Sequence, residues 1–402
     1  IVTEGAALQL LETPAEYFGA ILSSIRGARS NITLCALYFG TGEQELRIIR
    51  ELEEALSREG ALRVCIMFDY CRSTRKSDSS LSHFHRALSR FGDRVQISLY
   101  KIPLLEGMYR WVPSPVNETL GVYHCKFCVF DDAAFISGAN LSRDYFTNRQ
   151  DRYLMVKGST DTVRFLKSFY NVVQCNAYSL SPSGDLRPPR ETSANIFKER
   201  LELCSSDIDM LGNVSSASDT VMYPVIQHHS VGVRREMDQI LEMVSRNIWK
   251  DIVLSSPYCS YTPDIAAALR RASRKGANIC ILTSSREAHG FHGATGLAGI
   301  IPELHDISLA NLMQSLSDLP NISTMIYTRP GWTFHAKGVW CFPHDKSSPI
   351  LSYIGSSNGG ERSWFRDFEL GFVVATGNKN LKKSMVSELN QLRNHCTLVK
   401  SE

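Results

Sequence analysis

Two stretches of this 402-residue sequence carry the same set of chemistry-bearing side chains. The first, HCKFCVFDDAAFISGAN over 124–140, holds His124, Lys126, Asp131 and Asn140, with Gly138 two residues before the asparagine. The second, over 335–358, holds His335, Lys337 and Asn358, preceded by Gly355 and Ser356. An acid follows each asparagine at the same offset of eleven residues, Asp151 after Asn140 and Glu369 after Asn358. On a strand, residues i and i+2 share a face, so each histidine points the same way as its lysine. A strand that turns back at Asp131-Asp132 brings Asn140 to the same end. Each half then offers an imidazole, an ammonium and an amide at one spot.

Two such constellations facing each other suit displacement at phosphorus, where nucleophile and leaving-group acid stand on opposite sides of the atom attacked. Imidazole, with an ordinary pKa of about 6.5, serves either as neutral nucleophile or as proton donor near neutral pH. The two lysines and two asparagines are expected to hold the non-bridging oxygens, which replaces a metal's usual role. No metal or other cofactor is therefore demanded. A single His-x-Lys carries little weight, since short motifs recur by accident. Two copies in matching positions, each followed by glycine, asparagine and an acid, reverse that judgement. Asp131 is left with two readings, a turn cap or a member of the site, because Phe342 occupies its place in the second copy.

The elements around the motifs repeat as well. The first half reads as a helix over 13–28 capped by Thr13 and Pro14, a strand over 32–39, a helix over 45–59 and a strand over 62–68. Gly60 is expected as the left-handed residue closing the second helix. The second half reads as a helix over 234–245, a strand over 251–255, a helix over 263–275 and a strand after Gly276. From Gly60 to His124 is 64 residues and from Gly276 to His335 is 59, so the motifs sit alike in two similar halves. Helices alternating with short apolar strands imply an α/β architecture in each half: two α/β/α units packed with pseudo-two-fold symmetry and one active site between them. The Pro, Ser and Gly rich run 179–193 is the expected connection, dividing the chain into 1–185 and 186–402. The run 342–349 reads as a lengthened hairpin loop.

A net charge of +3 is too small for a dedicated nucleic-acid binder, and leaves anionic substrates or an anionic membrane surface open. The eleven cysteines are scattered and mostly lie in apolar runs, as reduced thiols do. Cys125 and Cys128 lie three apart on a strand, pointing to opposite faces, and cannot chelate together. No apolar run approaches the roughly 18 residues of a membrane-spanning helix. The start at Ile1 reads as a processed or truncated protein with its targeting segment out of view.

The paired motifs resemble those of the phospholipase D superfamily. Within it, HCKFCVFDDAAFISGANLSRDYFTNRQDRY, GWTFHAKGVW, IGSSN and RDFE resemble the phosphatidylglycerophosphate synthases of eukaryotic mitochondria. The runs FDYCR, NETLG and GFHGATGLAGIIP extend the likeness over nearly the whole chain. Loss of the second-motif aspartate also resembles this family. The resemblance implies transfer of a phosphatidyl group from CDP-diacylglycerol to glycerol 3-phosphate, giving CMP and phosphatidylglycerophosphate, the precursor of cardiolipin. It implies a mitochondrial location, peripheral on the inner membrane. The residues themselves give the expected mechanism: His124 as nucleophile, forming a phosphatidyl-histidine intermediate, and His335 as acid and then base, or the reverse. Asp151 and Glu369 are expected to orient the imidazoles, and similar enzymes imply that each serves the opposite half's motif. Because both substrates carry phosphates, Arg72, Arg75 and Arg149 become candidate ligands beside Gly138, Gly355 and Ser356. The runs 102–112 and 291–301 are candidate membrane contacts. Three rivals remain: a superfamily member that uses water or another alcohol as acceptor, a nuclease, and an inactive scaffold. Oligomeric state is not written in the motifs.

Overall fold

The computed structural model describes residues 1–75, 80–107, 109–114, 116–181, 183–209, 219–344 and 347–399. Seven strands of the first half are β1 (Leu8–Leu11), β2 (Asn31–Cys35), β3 (Arg63–Asp69), β4 (Val95–Tyr100), β5 (Phe127–Phe130), β6 (Ala133–Ser137) and β7 (Tyr153–Lys157). Seven of the second half are β8 (Thr220–His228), β9 (Trp249–Ser255), β10 (Asn278–Ser284), β11 (Ile322–Tyr327), β12 (Gly338–Pro343), β13 (Leu351–Gly355) and β14 (Phe368–Thr376). Across the first sheet the order is β4-β3-β2-β5-β6-β7-β1, and across the second β11-β10-β9-β12-β13-β14-β8. Each strand of one half matches the strand seven places later, with the same parallel and antiparallel neighbours. The duplication inferred from the motifs is thus a duplication of the whole sheet.

Local chemistry sets the element ends. Helix Pro14–Gly27 starts where the Thr13 hydroxyl accepts a hydrogen bond from Glu16 N at 3.2 Å, with proline at the first helical position. Helix Pro263–Arg274 starts in the same way at Thr262. It closes with Gly276 at φ 94°, a left-handed conformation that glycine adopts without cost. Gly60 departs from the expectation. Helix Glu43–Arg58 ends on an extended Glu59, and Gly60 lies outside the left-handed region. Arg94 instead reaches the open carbonyls of Leu56 and Glu59, at 2.9 Å each.

The connection over 179–193 is more ordered than its composition implies. Tyr178–Leu180 and Leu186–Arg187 form a hairpin on the outer edge of the first sheet. The expected division after residue 185 falls inside this hairpin, so the first sheet extends through Arg187. At the other end, Val2–Thr3 pairs with Thr220 and Val221, adding the start of the chain to the second sheet. The loop expected over 342–349 lies between β12 and β13, with 345 and 346 outside the described residues.

The two sheets share a central core. Along β5, Phe127 and Val129 face that core while Cys128 and Phe130 face the outer helices of the first half, the alternation a doubly covered strand requires. Cys125 and Cys128 accordingly lie in different cores, and all eleven cysteines are free. Helices Thr160–Cys175 and Lys379–Arg393, one from each half, contribute to the central core. Arg152 stitches the halves together. Its guanidinium donates to Glu388 at 2.8 Å and to the Tyr353 carbonyl at 2.6 Å, and lies 3.9 Å from the Trp340 ring centre. Leaving one partner of so buried a pair alone costs about 3–5 kcal/mol.

Candidate active site

Each His-x-Lys segment runs beside the acid-bearing segment of the other half. Thr333–Phe334 pairs in parallel with Arg149–Gln150, and His335 N donates to Gln150 O at 2.7 Å. In the mirror position Tyr123 bridges Phe368, and His124 N donates to Phe368 O at 2.8 Å. This backbone pairing crosses the carboxylates over. His335 Nδ1 donates to Asp151 at 2.6 Å, and His124 Nδ1 to Glu369 at 2.8 Å. With Nδ1 engaged, each ring turns its Nε2 away from its acid.

Both dyads are buried, and burial shapes their titration. It pushes both imidazoles well below their ordinary range, helped for His124 by the Lys126 charge and for His335 by Lys337. It also raises the carboxyls, Asp151 to about 6 and Glu369 likewise upwards. Burial therefore keeps each imidazole neutral, with its one ring proton on the Nδ1 that faces the acid. Nε2 is left with a lone pair.

The lysines sit beneath the histidines and not on the cavity wall. Lys126 Nζ donates to the His124 carbonyl at 2.6 Å, and Lys337 Nζ to the His335 carbonyl at 2.9 Å. Lys337 Nζ also lies 2.6 Å from His335 Nδ1 and 3.1 Å from its Nε2. The Nδ1 hydrogen already points at Asp151, so the first of these is a close contact and not a second bond. Burial lowers Lys126 to about 7 and Lys337 to about 8. Neither ammonium is among the groups that line the cavity.

A cavity of about 450 Å³ lies over the dyads, lined by His124, His335, Asn140 and Asn358 among others. A larger depression of about 820 Å³ beside helix Pro263–Arg274 contains none of the motif residues, so chemistry and not size locates the site. Asn140 Nδ2 donates to Tyr145 Oη at 3.2 Å, and that hydroxyl lies 3.2 Å from His335 Nε2. The Oδ1 atoms of Asn140 and Asn358 are buried without partners among the described residues, two polar groups available to a ligand.

Several expected site residues lie elsewhere. Asp131 is a correction: it occupies a left-handed turn position at φ 49°. Its carboxylate accepts from the backbone N–H groups of Arg29, Ser30 and Asn31 at 2.7–2.9 Å. It ties the β5–β6 turn to the start of β2, at the opposite end of β5 from His124. Gly138, Gly355 and Ser356 are not among the residues that line the cavity, and they pack behind it. A Cβ at Gly138 would stand 2.8 Å from Asp151 Oδ1, and one at Gly355 would stand 2.5 Å from the Gly371 Cα. Ser356 is fully buried, and its hydroxyl donates to Glu369. Arg72 and Arg149 line the cavity. Arg75 does not, and is paired with Glu118 behind Arg72.

Sequence reasoning missed Tyr145, Tyr258, Arg362 and Asp367, all of which line the cavity. Asp367 had a signal, since it precedes Glu369 by two on an extended run and so shares its face. Its carboxylate accepts from Arg362 Nε at 2.9 Å and from Val122 N at 3.0 Å. His124, Asp367 and Glu369 bring ligand atoms within 4.8 Å of one another. Arg362, Val122 N and Ser356 already occupy those carboxylates, so the trio is a hydrogen-bonded support.

A duplicated α/β fold with two crossed histidine–carboxylate dyads at one cavity defines a phospholipase D-like protein. Residues 21–173 match the family described as "Cardiolipin synthase, PLD-like domain". The phosphatidylserine synthase of Haemophilus influenzae has the same fold, with a TM-score of 0.76 over 100% of this chain and 89% of that one, at 20% identity. Two relatives narrow the class. The Dictyostelium discoideum protein named "Probable CDP-diacylglycerol--glycerol-3-phosphate 3-phosphatidyltransferase" is 30% identical, covering 96% of this chain and 72% of its own. The mitochondrial enzyme of that name from Gallus gallus is 31% identical, covering 96% and 77%. The chain belongs to the CDP-diacylglycerol--glycerol-3-phosphate 3-phosphatidyltransferase family.

Proposed function

We propose that this enzyme transfers the phosphatidyl group of CDP-diacylglycerol to glycerol 3-phosphate, releasing CMP. The observation that carries the reading is the pair of crossed dyads at one cavity, in a chain of this family along nearly its whole length. His124 Nε2 forms a bond to the lipid phosphorus as the bond to the CMP oxygen breaks, and a proton on His335 Nε2 goes to that oxygen. His335 then takes the proton of the primary hydroxyl of glycerol 3-phosphate as its oxygen displaces His124 from phosphorus. The assignment of His124 as nucleophile rests on its Nε2 having no hydrogen-bond partner among the described residues, whereas Tyr145 Oη stands at His335 Nε2. The substrate's phosphates supply the negative charge that lets His335 carry its proton, against the pull of burial and Lys337.

The lipid substrate is held in a lipid aggregate, so the enzyme must meet its surface. Leu104, Tyr109, Trp111 and Val116 are exposed, as are Ile300, Leu304 and Ile307. The second set adjoins cavity-lining Phe291 and Ile301. Arg110 stacks over Trp111 at 4.7 Å, placing a cation in the first set. These residues support peripheral attachment through 102–116 and 291–307, and the mitochondrial relatives support a mitochondrial membrane as the site. No helix among the described residues is long and apolar enough to cross a membrane.

The test is incubation with labelled CDP-diacylglycerol in mixed micelles, with and without glycerol 3-phosphate. Phosphatidylglycerophosphate formed only with the acceptor supports the reading. CMP released with phosphatidic acid as the sole lipid product makes the protein a hydrolase instead.

A further inference from the structure

Two in-line displacements at one phosphorus impose a geometric condition. The leaving group departs opposite the nucleophile, and the second alcohol must attack from the side the first one left. If His124 attacks, CMP and glycerol 3-phosphate both occupy the His335 side, one after the other. The structure differs between the two sides in how its cations are committed. On the cavity wall, Arg72 Nη1 is bound to Glu118 at 2.8 Å, and near His124 Arg362 Nε is bound to Asp367 at 2.9 Å. Beside His335, Arg149 is largely buried. It donates through Nε to Thr333 Oγ1 at 2.9 Å, and its carboxylate neighbour Asp144 lies 3.3 Å away with its side chain more than half exposed.

Arg149 is held in place for a ligand. Its guanidinium lies 4.8 Å from the centre of the Tyr145 ring, the same tyrosine whose hydroxyl meets His335 Nε2. The Tyr258 ring centre is 6.3 Å from that of His335. At Gly290 a Cβ would stand 3.5 Å from both Arg149 Nη2 and Tyr258 Oη, so the absence of a side chain keeps the space beside the guanidinium open. A fixed, largely desolvated guanidinium with two phenolic hydroxyls around it is built for a phosphate.

We propose that Arg149, Tyr145 and Tyr258 form one anion subsite that the reaction uses twice, first for the phosphate of departing CMP and then for the phosphate of glycerol 3-phosphate. This rests on the phosphatidyltransferase reading with His124 as nucleophile. It makes Arg149 the residue that selects a phosphorylated acceptor over a neutral one, and it makes CMP and glycerol 3-phosphate mutually exclusive ligands.

The experiment uses the full chain with CDP-diacylglycerol in mixed micelles, and first establishes that the wild type forms phosphatidylglycerophosphate. CMP should then inhibit competitively against glycerol 3-phosphate. In Arg149→Gln the ratio of kcat/KM for glycerol 3-phosphate to that for glycerol should fall about 10- to 100-fold, the worth of charge-assisted hydrogen bonds to one phosphate. The inhibition constant of CMP should rise by a similar factor, and Arg149→Lys should recover part of both. The acceptor ratio does not depend on how much of a variant is folded. CMP inhibition that is not competitive with glycerol 3-phosphate, or an acceptor ratio unchanged in Arg149→Gln and lowered in Arg72→Gln, overturns the proposal while leaving the transferase reading intact. A wild type that makes no phosphatidylglycerophosphate overturns both.

Discussion

Behind His335 stands Asp151, whose second oxygen accepts from the backbone N–H of Arg152 at 2.8 Å, with Gly138 packed against it. Behind His124 stands Glu369, a methylene longer, held by the hydroxyl of Ser356. Ser356 and Gly138 occupy the same place in the two copies, each two residues before its asparagine. The half with the shorter acid supports it from the main chain and leaves no room for a hydroxyl. The half with the longer acid needs one. In front of the rings the difference continues, with Tyr145 Oη at His335 Nε2 and nothing among the described residues at His124 Nε2. Duplication therefore supplied two copies of one device, and small local changes left one nitrogen open and set a tyrosine hydroxyl at the other.

The largest effect should come from breaking the dyads. Glu369→Gln and Asp151→Asn keep shape but present an amide where Nδ1–H needs an acceptor, which favours the wrong tautomer. Each should lower kcat about 10³- to 10⁴-fold with little change in folding. In single-turnover work Glu369→Gln should slow CMP release, whereas Asp151→Asn should slow both CMP release and acceptor transfer. Equal effects of both variants on both steps would erase the distinction between the halves.

A smaller effect separates the lysines. Burial and then the Lys126 charge depress His124, so its protonation, which removes the nucleophile, sets an acidic limb of kcat/KM below about 6.5. Taking away the cation raises the His124 pKa, and Lys126→Met should move that limb to higher pH. Lys337→Met should raise the His335 pKa instead and ease formation of the acid. The pH profile of kcat/KM for CDP-diacylglycerol decides, and an acidic limb unmoved in Lys126→Met contradicts the account.

The smallest effect comes from exchanging the supports. Ser356→Gly should cost roughly 1 kcal/mol of transition-state stabilisation, about fivefold in kcat, by removing one hydrogen bond to Glu369. Gly138→Ser should cost more, because its Cβ meets the Asp151 carboxylate at 2.8 Å. A tolerated Gly138→Ser would show that the first half does not depend on this close packing.

These differences explain what the sequence could reveal. The repeat of His-x-Lys, asparagine and acid at matched spacing exposed the duplication, and the 3.6 and 2 periodicities placed helices and strands to within a few residues. The crossing of acids between halves depends on Thr333–Phe334 lying beside Arg149–Gln150, a pairing of residues 184 positions apart that no local pattern encodes. Asp131 misled because its motif position looks chemical, while its role is to satisfy three backbone N–H groups at a strand start. Tyr145 and Tyr258 escaped notice because aromatic residues in a helix and a loop read as packing until the fold sets them against His335. Gly60 shows the limit of composition: a glycine after a helix need not be left-handed when a distant arginine satisfies the carbonyls.

The central claim is that His124 is the nucleophile and His335 the proton carrier. Mass spectrometry of enzyme quenched after mixing with CDP-diacylglycerol in the absence of acceptor tests it most directly. The account predicts a phosphatidyl adduct on His124 that accumulates in His335→Ala and is missing in His124→Ala. An adduct on His335, or one that persists in His124→Ala, contradicts it.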